Sequence, residues 1–259
     1  MDLFLKDRIA IVGGASQGIG YGIARTLAGE GAKIAVTARR EADLVQAANR
    51  IRHETGAEVL PIAADSRRAE DCARVIARTV EAYGGIDIVV NNDGAPPLGE
   101  LATFDDAAWQ KAVEQNLMYV VRMARGAAPH MKARGGGSIL NITAISAIQP
   151  LAKFGLSVAT WSAVIGFAKT FSIEAAPLGI TVNTICPGYI ETTRLEKVFS
   201  AGGPDPDIMR NQLKAEVPLG RIGTVDDVAS VVALLVSPRG RYITGATIQV
   251  DGGLLRAVR

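Results

Sequence analysis

The sequence contains few cysteine, histidine and aromatic residues and no excess of charge of one sign. Of its 259 residues, 2 are Cys, 2 are His and 5% are aromatic, and 28 Lys and Arg stand against 26 Asp and Glu. Cys72 and Cys186 cannot form a disulfide scaffold, which predicts a reducing compartment. A formal net charge of +2 argues against a nucleic-acid-binding protein, since such proteins usually carry a concentrated basic face. His53 and His130 have no second ligand at metal-binding spacing, so we expect no metal site.

Segments that direct a chain to a membrane are also lacking. The first residues, MDLFLKDR, are too short and too charged for a signal peptide. No apolar run approaches the roughly 20 residues that cross a bilayer. We therefore expect a soluble, cytoplasmic protein without a membrane partner. A chain of this length commonly forms one α/β domain, here expected over residues 1–259.

Two kinds of apolar segment alternate along the chain. Seven are short and rich in β-branched residues, as strands buried on both faces are. Between them lie longer stretches with helical spacing, such as Ile19, Ile23 and Leu27. This alternation predicts an α/β fold, a doubly wound seven-stranded parallel sheet flanked by helices on both faces. The strands are predicted at 8–13, 33–38, 57–64, 86–91, 137–143, 179–185 and 246–250.

A glycine-rich turn separates the first predicted strand from the first helix. Gly14, Gly18 and Gly20 stand at G-x-x-x-G-x-G spacing, with Ser16, Gln17 and Ile19 between them. Glycine lets the backbone turn tightly and approach a pyrophosphate, which then accepts hydrogen bonds from the first turn of the helix. We expect all six residues to line a dinucleotide site in a single-domain Rossmann fold.

The end of the second strand indicates which dinucleotide is bound. A carboxylate there would bind the ribose 2′-hydroxyl of NAD(H) and repel a 2′-phosphate. The chain instead has Arg39 and Arg40, and a guanidinium suits a phosphate well. The sequence therefore favours NADP(H), with NAD(H) the second choice. The alternative is that both arginines are simply solvated at the start of a helix.

Further motifs follow in a fixed order. Asp65 follows the third strand, NNDG spans 91–94, Asn116 lies in EQNL and PGYIET spans 187–192. Together with GGASQGIG they resemble the TGxxxGIG, aspartate, NNAG, asparagine and PG-loop motifs of the short-chain dehydrogenase/reductase family. The C-terminal part is most similar to β-ketoacyl-acyl-carrier-protein reductases. The resemblance implies cofactor contacts for Asp65, Asn92, Gly94, Pro187, Gly188, Ile190 and Thr192.

The residues at the family's catalytic positions differ from those that the family uses. The family uses a Ser, a Tyr and a Lys, with the Tyr as general acid/base and the Lys lowering its pKa. Counting from the motifs on either side places Ala144, Ser157 and Trp161 at these positions, and residues 143–169 contain no tyrosine. Trp161 would stack on the nicotinamide ribose or obstruct it. Two smaller departures are Gly13 for the family's Thr and Asp93 for its Ala.

Four residues are the candidates for altered catalysis. Asn116 would keep its family role at a helix bend, and Thr143, Ser157 and Tyr189 could supply polar groups. Asp93 is a further candidate general base. An aliphatic hydroxyl such as that of Ser157 is too weak an acid to replace a phenol without an activator.

Three functions remain open on the sequence. The first is NADP(H)-linked reduction of a carbonyl, or oxidation of an alcohol, by a non-standard acid/base. The second is a catalytically inactive protein that serves as a cofactor sensor or a partner subunit, and the third is a lyase or dehalogenase-like relative. A substrate lid is expected around 189–215, after the carboxyl end of a strand. The resemblance also implies a homo-oligomer, a dimer or tetramer, and Gly155, Ala159, Ala163 and Gly166 are small enough for close helix approach.

Overall fold

The computed structural model describes residues 1–196 and 205–257. Its centre is a seven-stranded parallel sheet with the order β3-β2-β1-β4-β5-β6-β7, so the predicted single-domain Rossmann fold is confirmed. The strands are β1 (Ile9–Val12), β2 (Lys33–Ala38), β3 (Val59–Ala63), β4 (Ile88–Asn91), β5 (Gly137–Ile142), β6 (Ile180–Pro187) and β7 (Thr247–Val250).

Helices cover both faces of the sheet. They are α1 (Gly18–Gly29), α2 (Glu41–Thr55), α3 (Ala69–Tyr83), α4 (Asp106–Val113), α5 (Tyr119–Ala133), α6 (Gly155–Ala175), α7 (Pro206–Glu216) and α8 (Val225–Val236). A π-helical turn, Glu114–Met118, joins α4 to α5. Short 3-10 turns lie at Leu101–Thr103, Ile145–Ala147, Ala176–Leu178 and Pro238–Gly240.

Alternate residues of the central strands enter two separate cores. Ala10 and Val12 of β1 pack on the side of α1, α2 and α8, whereas Ile11 packs on the side of α3, α5 and α6. Val89 of β4 joins Ile11, and its neighbour Val90 joins the other side. Successive side chains of a strand point to opposite faces, so a strand covered on both sides must be apolar throughout. That is why the strands appear in the sequence as uninterrupted apolar runs.

Helix α6 is part of a longer apolar segment than the sequence predicts. In the described part of the chain, the segment Gly155–Leu178 is long and apolar enough to span a membrane, with a mean hydropathy of 1.3. The prediction that no apolar segment reaches this length is wrong by that measure, because small residues join its larger apolar ones. Val164, Ala168 and Ala175 of this helix pack into the core beside the sheet, as in the core helix of a globular protein.

The strand order places a crevice at the carboxyl edge of the sheet. β1 lies between β2 and β4, so the connections after these strands run to opposite sides of the molecule. Ligands of doubly wound sheets bind at such a switch point. The predicted lid around 189–215 borders this edge: its residues 206–215 belong to α7, and residues 197–204 lie outside the described part of the chain.

Candidate cofactor groove and substrate cleft

The loop between β1 and α1 has a backbone that requires glycine at its key positions. Gly14 and Gly18 have φ of +55° and +60°, in the left-handed region that side chains disfavour. A Cβ on Gly20 would stand 2.4 Å from the Gly14 carbonyl oxygen. The Asn92 amide donates to the Gly13 carbonyl at 3.1 Å and so fixes the loop to the end of β4. The amide groups at the start of α1 are thereby held in a close turn suited to a diphosphate.

Tyr119 explains why glycine replaces the family's threonine at position 13. A Cβ on Gly13 would lie 2.2 Å from the Tyr119 hydroxyl oxygen and 2.5 Å from the Asn92 carbonyl oxygen. Tyr119 is buried at the start of α5, and burial raises its pKa well above the usual value for a phenol. The phenol therefore occupies the space that a threonine side chain at position 13 would need.

An open groove of about 580 Å³ runs from the glycine loop along the carboxyl ends of β1, β2 and β4. Ten of the predicted cofactor residues line it: Gly14, Ser16, Gln17, Gly18, Ile19, Arg39, Arg40, Asn92, Gly94 and Thr192. Gly20 lies buried within α1, behind the loop. The groove combines backbone amides with three guanidinium groups, those of Arg39, Arg40 and Arg194. These are the donors that a dinucleotide phosphate requires, so the residues present fit NADP(H).

The two arginines at the end of β2 differ in their partners. Arg40 forms an ion pair with Asp43, with 2.5 Å between Nε and Oδ2. Arg39 has no hydrogen bond or ion pair among the residues that the structure describes. Asp65 is paired with Arg67, with 2.9 Å between Nε and Oδ1, and this hydrogen bond lowers the Asp65 pKa. Of the two guanidiniums at the end of β2, that of Arg39 is therefore the one without a hydrogen bond or ion pair in the described chain.

Asp93 lies where the groove meets a second cleft. Its carboxylate accepts hydrogen bonds from the Ser66 hydroxyl and, at 2.7 Å, from the Gly94 amide. Burial raises the pKa of Asp93 above that of an exposed aspartate, while the hydrogen bonds from Ser66 and Gly94 act in the opposite direction.

The second cleft, of about 290 Å³, is mainly apolar. Its lining includes three more of the predicted cofactor residues, Pro187, Gly188 and Ile190. Its other apolar residues include Ala95, Ile142, Ala144, Ile145, Leu151, Phe154, Trp161, Leu195, Met209 and Leu213. The groove and the cleft share Ile19, Asn92, Asp93, Thr192 and Arg194, so they form one continuous site. Asp65 lines neither cavity.

The structure brings together only part of the predicted catalytic set. Thr143 and Tyr189 line the cleft, and Asn116 lines a small cavity beside it that Thr143 and Trp161 also border. Ser157 is buried within α6, its hydroxyl has no partner among the described residues, and it lines neither cavity.

The polar groups of these residues are largely engaged. The Thr143 hydroxyl donates to the Ile185 carbonyl at 3.1 Å, and the Asn116 amide donates to the Thr160 hydroxyl at 2.7 Å. Tyr189 donates to Glu216 at 2.9 Å, and burial together with this carboxylate raises the Tyr189 pKa to about 12. Tyr189 is thus the one phenol among the described residues of the cleft, and it is protonated at neutral pH.

Sequence reasoning gave no role to two residues of the site. Arg194 lines both the groove and the cleft, and Tyr119 borders the glycine loop. The position of Arg194 two residues after Thr192, in a loop expected beside the nicotinamide, was a usable signal. Nothing in the sequence links Tyr119 to Gly13, because that contact depends on tertiary packing.

Comparison with known proteins gives consistent results over nearly the whole chain. Residues 14–255 match the family described as enoyl-(acyl carrier protein) reductase. The chain is 33% identical to human dehydrogenase/reductase SDR family member 4, covering 96% of this chain and 88% of that protein. It is 34% identical to the 3-oxoacyl-acyl-carrier-protein reductase of Vibrio cholerae, covering 96% and 98%.

A solved structure supports the same relationship. The L-sorbose reductase of Gluconobacter frateurii, complexed with NADPH and L-sorbose, superimposes with a TM-score of 0.95 and 33% identity over 100% of both chains. The match extends over both the sheet and the helices that form the groove. The chain belongs to the short-chain dehydrogenase/reductase family of oxidoreductases.

Proposed function

We propose that this protein is an NADP(H)-linked oxidoreductase that reduces an apolar carbonyl compound, or oxidises the corresponding alcohol, with a non-standard acid/base. The observation that carries the proposal is the continuity of the two cavities. A groove that fits a phosphorylated dinucleotide opens into an apolar cleft through shared residues such as Asn92 and Thr192. Relatives named as reductases, one of them complexed with NADPH, support the same reading.

The cofactor would be held mainly by backbone and by one arginine. NADP(H), when bound, supplies or accepts the hydride. The glycine loop and the start of α1 bind the diphosphate, and Arg39 binds the 2′-phosphate. In this proposal Asp65, Pro187, Gly188, Ile190 and Thr192 keep the cofactor positions that the family resemblance implies.

Tyr189 is the proposed proton donor in place of the missing tyrosine. A phenol with a pKa raised to about 12 keeps its proton at neutral pH and is a weaker acid than the family's tyrosine, whose pKa a lysine lowers. It can still donate to an alkoxide, which is a stronger base, once it releases its hydrogen bond to Glu216. This favours carbonyl reduction over alcohol oxidation. Asn116 acts as a positioning residue, because its hydrogen bond to Thr160 joins the π-helical turn to α6. Thr143 would contact the substrate, whereas the buried Ser157 would contribute packing only.

Trp161 favours a second candidate function. Its indole stands at the position of the family's lysine and lines the cleft without providing a charge. A protein that binds NADP(H) but does not turn it over, as a sensor or a partner subunit of an active relative, would tolerate this change. The two candidates predict the same cofactor affinity and differ only in turnover.

The test is NADPH and NADH oxidation with a panel of aliphatic ketones, aldehydes and 3-oxo thioesters. We expect NADPH oxidation above background, lowered by about a hundredfold in Tyr189→Phe, since general acid catalysis contributes that much or more. Tyr242→Phe, at a fully exposed phenol, is the matched control.

A second variant separates the two candidates. Ala144→Ser/Ser157→Tyr/Trp161→Lys restores the residue types of the family. Turnover by this variant with none by the wild type would contradict the enzyme proposal and support the cofactor sensor or partner subunit.

We also propose that the protein is cytoplasmic and forms a homo-oligomer, a dimer or tetramer. The uncovered face of α6 supports the second point, since Ala159, Ala163 and Gly166 lie exposed along it.

A further inference from the structure

Arg194 is the basic side chain that the described part of the chain places in the substrate cleft. Of the described residues that line it, only Arg194 is a lysine, arginine or histidine. Arg194 has no hydrogen bond or ion pair within the described chain. Its pKa is lowered because the surrounding protein removes water from the guanidinium without providing a counter-charge.

The acidic residues beside Arg194 in the sequence are occupied by another arginine. Arg210 on α7 binds Glu191, with 2.9 Å between Nη1 and Oε1, and Glu196, with 2.5 Å between Nη2 and Oε1. Both carboxylates are therefore engaged by Arg210, whose single positive charge balances one of the two. Neither carboxylate forms a hydrogen bond or an ion pair with Arg194 in the described chain, so Arg194 is available to an anionic ligand.

The rest of the cleft defines the kind of molecule that would supply an anion. Leu151, Phe154, Met209 and Leu213 line its walls. Ser146, which also lines it, is only 1% exposed, and its hydroxyl has no partner among the described residues. A ligand with an apolar chain, one anionic group and one further polar oxygen would satisfy all of these groups.

We propose that Arg194 pairs with the carboxylate of an amphipathic oxo acid whose apolar chain fills the cleft. This inference rests on the proposed function and narrows its substrate class. The alternative source of the anion is the cofactor diphosphate, because Arg194 also lines the groove. The cleft is the better match, since the groove already offers the loop amides, the start of α1 and Arg39, whereas the described residues of the cleft include no second cation.

The test measures binding without turnover, by titration calorimetry of decanoate and its neutral isostere decanamide. We expect the wild type to prefer decanoate about tenfold, and Arg194→Gln to lose this preference while its Kd for decanamide stays within about twofold. Arg78→Gln, which removes an exposed ion-paired arginine on α3, should behave as the wild type. Added salt should weaken decanoate binding and leave decanamide binding unchanged.

Two results would overturn the inference. One is a wild type without preference for the carboxylate, or without affinity for either amphiphile. The other is an Arg194→Gln variant that keeps the preference but binds NADPH about tenfold more weakly, which would assign Arg194 to the cofactor. If Arg194→Gln does not fold, two other measurements test the inference. Arg194→Lys, which keeps the positive charge, should keep the preference for decanoate, and added salt should weaken decanoate binding by the wild type; the absence of either effect would overturn the inference. Because no step requires NADPH oxidation, failure of this inference is distinguishable from failure of the proposed enzyme activity.

Discussion

At position 13 a glycine stands where the family has a threonine, and the cause is a steric contact. The Tyr119 hydroxyl occupies the place of the missing side chain, so the glycine at position 13 and the tyrosine at position 119 fit together. A side chain forced into this space would cost about 1–3 kcal/mol through overpacking. The glycine loop is therefore retained by a different set of contacts rather than degraded.

Neighbouring arginines at residues 39 and 40 show what a sequence motif leaves undetermined. Both were predicted to bind the cofactor, yet one is paired with Asp43 and the other has no partner in the described structure. Which of two adjacent guanidiniums is free depends on where α2 begins and which carboxylates its first turn presents. The charge at this strand end could be predicted from the sequence, but its division between the two residues could not.

Arg39 gives a prediction at this scale. We expect Arg39→Gln to raise the Kd for NADPH about tenfold, because a charge-assisted contact to the 2′-phosphate is lost. The Kd for NADH should change little, since NADH has no such phosphate. Titration of both nucleotides, followed by fluorescence, measures the difference.

Arg40→Gln is the matched control for Arg39. It removes the same charge from the adjacent position, where the guanidinium is already paired. Equal losses of NADPH affinity in the two variants would show that general positive charge, rather than a specific contact of Arg39, selects NADPH.

The positions of the strands could be predicted from the sequence, whereas the structure of the segment after β6 could not. Every strand was found near its predicted place because burial on both faces leaves a continuous apolar run. Helix α7, within the expected lid, was not predicted, although Asp205 caps it and Pro206 opens it, which is a recognisable start signal. The Gly, Pro and Asp residues before it are typical of irregular segments, so the sequence predicted a loop there rather than a helix.

Helix α8 begins with a capping box whose strength depends on pH. The Asp227 carboxylate accepts from Arg221 and from the Thr224 amide, and these hydrogen bonds lower its pKa. A carboxyl whose pKa is lower in the folded state stabilises the fold above its unfolded-state pKa of about 3.9. This contribution disappears as the pH falls towards the folded-state pKa.

Asp227→Asn should therefore destabilise the protein by about 1 kcal/mol at neutral pH, as loss of a helix cap does. The difference from the wild type should shrink as the pH falls below about 4. Urea unfolding at a series of pH values measures it. A difference that stays constant through this range would show that the carboxylate charge does not contribute. Asp226→Asn, one residue earlier and outside the box, is the control.

At the scale of the whole molecule, α6 has two different faces. Val164 and Ala168 pack against the sheet, whereas Gly166 and Ile173 face outwards, and Ile173 is 69% exposed. Exposed apolar groups along a helix of small residues suggest a protein surface that approaches another copy closely. The sequence identified the small residues, but only the fold shows that they share the outer face.

Gly166→Gln tests this surface with little risk to the fold. A Cβ at Gly166 meets no atom within 4 Å in the chain, so the substitution fits the subunit and should raise helix stability, since glycine is a poor helix former. In an oligomer joined through this face, the longer side chain would keep the helices apart. We expect sedimentation to show smaller species than the wild type forms, at equal or higher thermal stability of the subunit. Gly29→Gln, at an equally open glycine that ends α1, should leave the mass unchanged. An unchanged mass for Gly166→Gln would show that copies of this chain do not meet through α6, because no interface of closely packed helices accommodates that side chain at this position.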